Sequence, residues 1–207
     1  VEIMMLLMNP AFKPWDNKKL RQAVAHAIDR DTIIKTILQG MAGKLKGAIG
    51  PGQIGYDADR SKAFDLKYDP AKAARLVKEA GYPNGVDVEM STPVGRYVND
   101  KIITQAIVPM LAKVGIRAKL LTPEWSTQWA NVRKGKRSFF YQGRGSVIDP
   151  GPALAQYFKT GVSPRIKYSN PKYDALFDEV AKEFDPKKRQ KLINDAIAVL
   201  VDDVPAV

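Results

Sequence analysis

No cysteine occurs anywhere in the 207 residues, which removes disulfides, thiol catalysis and cysteine-held metals together. A single histidine, His26, is present, so any site that needs two imidazoles is excluded, and with it most zinc-hydrolase patterns. The lack of thiols is compatible with an oxidising compartment without demonstrating one. Long hydrophobic runs are missing too: the longest, Ile3 to Met8, is far too short to span a bilayer. No charged-then-apolar leader precedes it, and the chain opens on a strand-like run without an initiator methionine, as a fragment or processed product would. Internal repeats and low-complexity tracts are also absent.

What is there is ordinary globular material. Hydrophobic residues make up 45% of the chain, enough for a packed core, and the length fits one domain or one large lobe of something bigger. The formal net charge of +11 invites a basic nucleic-acid-binding module as an alternative. The distribution argues against it. Lys and Arg are interleaved with acids and helix breaks, and the one dense cluster, Arg133–Arg137, reads as a helix end plus turn. A solvated basic surface is the simpler account, and no nucleic-acid partner is expected. No spacing offers a nucleophile–base pair or paired carboxylates, so neither an enzyme, nor catalytic residues, nor a metal site is expected.

The stretch Asn17 to Gly40 organises the rest. Leu20, Ala23, Val24, Ala27 and Ile28 share one helical stripe, with Asp16 or Asn17 available as cap. Asp31 can cap a second helix, Thr32 to Leu38, and Gly40 suits a left-handed stop. Before this pair, Val1 to Asn9 is a continuous apolar run that suits a strand covered on both faces. After it, Met41 to Asp65 carries five glycines and reads as a long loop. Asp69-Pro70 starts a short amphipathic helix that Gly81 ends. Strands at Val86–Ser91, Ile116–Leu121 and Phe139–Gln142 alternate with helices at Asp100–Val114, where Pro109 predicts a kink, and Glu124–Val132. That alternation calls for a mostly parallel sheet with right-handed crossovers. Helices follow around Ala153–Phe158, Pro171–Phe184 and Pro186–Val201.

In open parallel sheets, ligands sit in loops beyond the carboxyl ends of strands. One such loop is Pro93 to Asn99, where Arg96 can pair bidentately with a carboxylate or phosphate and Tyr97 offers an aromatic wall. The other is Gln142 to Pro150 (QGRGSVIDP), where glycines permit close backbone approach and Arg144 adds a second cation. His26, Asp29 and Arg30 read as packing, capping and pairing residues of the helical pair. Trp125 and Trp129, one turn apart, read as core or interface anchors, and Asp178, Glu179, Asp202 and Asp203 as solvated acids.

Two stretches carry a family resemblance. Leu20-Arg21-Gln22-Ala23-Val24-Ala25-His26-Ala27-Ile28-Asp29-Arg30-Asp31 resembles the "vRqAvayAIDRd" run of the family 5 solute-binding proteins of peptide and nickel ABC importers. Tyr68-Asp69-Pro70 through Ala80-Gly81-Tyr82-Pro83-Asn84-Gly85 is similar to that family's "YDPekAkkLLkeAGyp.G" element, in the right order and at the right distance. The resemblance implies an α/β, periplasmic-binding-protein-like lobe: a mostly parallel mixed sheet flanked by helices, with a helical C-terminal section. It implies that residues 1–207 form the C-terminal lobe of a two-lobed periplasmic protein, the N-terminal lobe being absent. Capture of a small-molecule or peptide ligand by a monomer, delivery to ABC permease subunits and no cofactor follow as expectations. In dipeptide-binding relatives an arginine of a "PV.R.Y" loop holds the ligand carboxylate, and Arg96 falls on that position. Relatives also carry "gW.gD.gDP", whose first acid meets the peptide ammonium. Anchoring on Asp149-Pro150 places Ser146 at that acid and Gly143 at the aromatic. A serine supplies no negative charge, so an anionic or neutral polar ligand is expected over a free-amine dipeptide. The expected ligand wall is Arg96, Tyr97, Arg144, Gly145, Ser146 and Asp149.

Overall fold

A computed structural model describes residues 2–207. The elements run β1 (Glu2–Met8), α1 (Lys18–Ala27), α2 (Arg30–Thr36), α3 (Ala58–Ala63), α4 (Pro70–Glu79), β2 (Val86–Ser91), α5 (Asp100–Lys113) and β3 (Ile116–Leu121). Then follow α6 (Trp125–Arg133), β4 (Phe139–Gly145), α7 (Gly151–Phe158), α8 (Pro171–Val180) and α9 (Pro186–Asp203). The sheet order is β1-β4-β2-β3. β3, β2 and β4 are parallel, and β1 closes one edge antiparallel to β4, with Ile3 opposite Arg144 and Met5 opposite Gln142. The expected mostly parallel mixed sheet flanked by helices is what forms.

Alternation along β1 and β4 sends successive side chains to opposite faces. Leu6, Met8, Phe139 and Tyr141 join α1, α4 and α5 in one core. Ile3, Met5, Leu7 and Phe140 join α7, α8 and α9 in the other. Trp15, fully buried with its ring centroid 4.4 Å from that of Phe139, anchors the first core. Burial of each large side chain of this kind contributes about 1.5–3 kcal/mol.

Several boundaries differ from the sequence expectation, each for a local reason. Asp29, not Asp31, caps α2, its carboxylate accepting from the Thr32 amide at 3.0 Å, so the helix starts two residues early and ends at Thr36. The 41–65 segment contains α3, capped by Asp57, because two amides of its first turn find that side chain. β4 runs on to Gly145, since pairing with Glu2–Met4 carries the strand through both glycines. α5 passes unbroken through Pro109. α8 stops at Val180, while α9 continues to Asp203. Asn9 lies outside β1, and Val1 lies outside the described residues.

The residues of the first family motif are structural hubs. The buried Arg21 guanidinium donates to the carbonyls of Trp15, Asp16 and Asp203, tying α1 to the last turn of α9. Arg30 donates to the carbonyls of Leu45 and Leu66 and approaches Asp65 at 3.5 Å, pinning the glycine-rich segment from both ends. His26 Nδ1 lies 2.7 Å from the Lys67 carbonyl, a packed helix residue. Asp203 is a correction: it accepts from Tyr168 and Asn170 and pairs with Lys18, so it is an anchor rather than a solvated acid. Among the described residues, no helix is long and apolar enough to cross a membrane.

Candidate solute-binding wall

The loop after β2 is shaped by one carboxylate. Asp100, at the start of α5 and 3% exposed, accepts from the backbone amides of Gly95, Arg96 and Tyr97 at 3.1, 2.9 and 3.0 Å. Three amides on one acid fold the 95–97 segment back over the helix start, with Gly95 and Asn99 at positive φ to permit the reversal. Tyr97 is thereby driven down onto the sheet. A β-carbon on Gly143 would lie 2.7 Å from Tyr97 Cε1, so the glycine makes room for that ring. Tyr97, reaching across from the neighbouring loop, fills the space that a side chain at 143 would take.

Arg96 stays exposed, its guanidinium carbon 4.9 Å from the Tyr97 ring centroid and 5.1 Å from that of Trp125. Stacking on two rings orders the cation without neutralising it. Among the described residues it has no ion-pair partner. Trp125 stacks on Trp129 at 5.4 Å, and Arg165 lies over Trp129 and over Tyr157 at 5.1 and 4.9 Å. Arg96, Trp125, Trp129, Arg165 and Tyr157 thus stack in one continuous row along and beyond α6. Trp125 packs against the first core and Trp129 against the second, as anchors.

The second loop is divided by the sheet. Tyr141 and Gly143 face Tyr97, whereas Gln142 and Arg144 face the opposite core. The structure therefore brings Tyr97 to Arg96 but sets Arg144 on the other face of β4. There Arg144 is 8% exposed and donates through Nη2 to the Ala48 carbonyl at 2.9 Å. Burial pushes it below the usual guanidinium value. Gly145 is exposed at the strand end, with open space where a β-carbon would stand. Ser146 is half-buried in a groove of about 840 Å³ that Arg144 also lines. Asp149 is committed elsewhere: Arg189 Nη2 approaches its two oxygens at 3.1 and 2.9 Å, and the Gly151 amide donates to Oδ1.

Sequence reading passed over Asp100 and Arg165. An acid four residues after the loop arginine, at the first position of a helix, was the available signal for Asp100. Nothing local marks Arg165, whose partners are 8 and 36 residues away in the chain. No group of three or more His, Asp or Glu among the described residues is placed to hold a metal ion. The excess positive charge is dispersed: Lys19, Arg60, Arg117, Lys159 and Arg189 each pair with an acid on a different part of the surface.

Comparison with known proteins places this arrangement in context. The E. coli K12 dipeptide-binding protein is 32% identical over 209 residues, covering 97% of this chain and 38% of that protein. The Helicobacter pylori periplasmic binding protein DppA, solved with the peptide STSA, superposes with a TM-score of 0.89 at 27% identity, covering 100% of this chain and 40% of that one. The Agrobacterium protein AgaA, solved with agropinic acid, gives 0.88 at 29% identity, with 100% and 43% covered. The chain thus spans about two fifths of the length of these relatives. The family described as bacterial extracellular solute-binding proteins, family 5 Middle, matches residues 1–164. Such proteins serve ABC importers, are periplasmic or extracellular, and bind solutes rather than transform them. With the motifs, the sheet order and these matches in agreement, the chain belongs to the bacterial extracellular solute-binding proteins, family 5.

Proposed function

We propose that residues 1–207 are the C-terminal lobe of a two-lobed periplasmic protein and form one wall of the cleft in which it captures a small acidic or neutral polar solute for an ABC permease. The observation that carries this reading is Arg96: exposed, stacked on Tyr97 and Trp125, without an acidic partner among the described residues, at the carboxyl end of β2. A planar, ordered, uncompensated guanidinium in that position suits a ligand carboxylate. Gly145 and Ser146, at the end of β4, offer backbone and hydroxyl partners and carry no charge of their own. That favours an acidic or neutral solute over one presenting a free ammonium. The ligands named for two relatives, a peptide and agropinic acid, span the chemistries one scaffold accepts.

The second wall comes from the remainder of the longer protein, so affinity is divided between lobes that close on each other. Native mass spectrometry of the full-length protein tests the reading. A bound acidic solute, with at least about tenfold weaker binding after Arg96→Ala, is expected for a lost charge-assisted pair. Unchanged affinity in that variant overturns the assignment of Arg96, and a co-purified ladder of free-amine peptides overturns the ligand class.

A further inference from the structure

The face of β4 turned away from Tyr97 carries an imbalance of its own. Arg144 is more than nine-tenths buried, yet its Nη1 has no hydrogen-bond partner and no carboxylate lies within ion-pair distance among the described residues. Arg165, stacked between Trp129 and Tyr157, likewise has a buried Nε without a partner. Between them sits the Tyr157 hydroxyl, 4% of the residue being exposed, accepting from Gln142 Nε2 at 2.8 Å. Both guanidiniums act electrostatically on that hydroxyl. Gln142 Oε1, on a neutral amide, is a buried acceptor without a partner beside that hydroxyl.

One buried and one half-buried cation, each with an orphan N–H group, around one hydroxyl and with no anion among the described residues, form an arrangement that proteins complete rather than leave open. We propose that Arg144, Tyr157 and Arg165 form a carboxylate-binding subsite, separate from Arg96 and on the opposite face of β4. A carboxylate supplies what is missing: one negative charge and two planar acceptor oxygens, matched to guanidinium N–H donors and to the free phenolic proton. Water satisfies the donors but leaves the charge uncompensated. Of the three, Arg144 alone lines the groove of about 840 Å³, with Ser146, Gln53 and Leu154, so entry is from the Arg144 side. The carboxylate belongs either to a bound solute or to an acidic side chain from the remainder of the longer protein, and the chemistry at Arg144 is the same for both.

The test follows the side-chain Nε–H resonances of Arg165 and Arg96 by NMR in the 207-residue chain, while sodium acetate replaces sodium chloride at constant ionic strength. A saturable shift of the Arg165 signal is expected, with apparent affinity at least tenfold weaker in Arg144→Gln. Tyr157→Phe, which preserves the packed ring, gives a second variant with weakened binding should Arg144→Gln fail to fold. The Arg96 signal reports the proposed solute wall independently, so failure of one reading is distinguishable from failure of the other. In the full-length protein, an Arg165 signal already at its bound position and insensitive to acetate identifies the protein's own carboxylate. A signal that still responds identifies a site open to solute. No saturable shift, a shift reproduced by sulfate but not acetate, or undiminished affinity in both variants overturns the proposal.

Discussion

The ring of Tyr97 rests on the backbone of Gly143, so closely that the missing β-carbon would fall 2.7 Å from Cε1 and 2.9 Å from Glu2 Oε1. Gly143→Ala therefore forces the ring off the sheet, and Arg96, stacked on that ring, moves with it. Overpacking of this kind costs about 1–3 kcal/mol. The urea midpoint is expected to fall with an unchanged slope, and the full-length variant to bind its solute more weakly. Adding Tyr97→Ala to Gly143→Ala should recover part of the loss, giving a non-additive double-mutant cycle. Strict additivity would place the strain elsewhere.

Asp100 holds the same loop from the other side. Asp100→Ala leaves the amides of Gly95, Arg96, Tyr97 and Lys101 without their acceptor and is expected to destabilise the fold by about 1–3 kcal/mol. Asp100→Asn, which retains one carbonyl oxygen, should lose less. Helix content by circular dichroism should hold in both, while solute affinity of the full-length protein falls in the order wild type, Asn, Ala. A variant that loses stability but keeps full affinity would show that the loop is positioned without this acid.

The pH dependence has two arms. Burial pushes the Asp203 carboxyl upward, but hydrogen bonds from Tyr168 and Asn170 and the Lys18 ammonium outweigh it, so it sits below its usual range. A depressed folded value means stability that is present above the unfolded carboxylate value, about pH 4, and lost as pH falls through the folded one. Asp203→Asn should flatten that acid limb. Burial raises the phenols of Tyr141, Tyr168 and Tyr173. Their stabilisation is present below the free tyrosine value, about pH 10, and is lost as pH rises further. Tyrosinate absorbance should consequently appear together with unfolding, and a graded titration of these phenols in the folded protein would contradict it.

Arg30→Ala removes the clamp on the segment from Leu45 to Leu66. Leaving those carbonyls and Asp65 with fewer partners is expected to cost about 1–3 kcal/mol. Hydrogen exchange should accelerate in residues 44–66 more than in the sheet, since local opening precedes global unfolding. Uniform acceleration across the chain would mean that the segment and the sheet open as one unit.

Much of this was legible in the sequence, and the reasons are local. β2 and β3 were readable to the residue, because alternation and flanking glycines or prolines bound them. Asn17, Asp69 and Pro70 announce their helices by chemistry confined to one turn. The site was readable only in part. Arg96 and Tyr97 stand in a loop whose position follows from β2. The face to which Arg144 points depends on how far β4 extends, and that is decided by pairing with β1, more than 130 residues away. Asp149 reads as a free acid until α9 brings Arg189 beside it, 40 residues later. Long-range pairing, rather than residue type, decides which of these placements a local reading reaches.

Asp100 grips the backbone of residues 95–97 and none of their side chains. The shape of the loop is thereby uncoupled from the identity of what it displays. A substitution at position 96 changes the charge the loop displays without undoing the turn that displays it, whereas one at position 100 removes the turn whatever stands at 96. If Arg96 meets the solute as proposed, change of specificity is open to single steps at position 96 and closed at position 100.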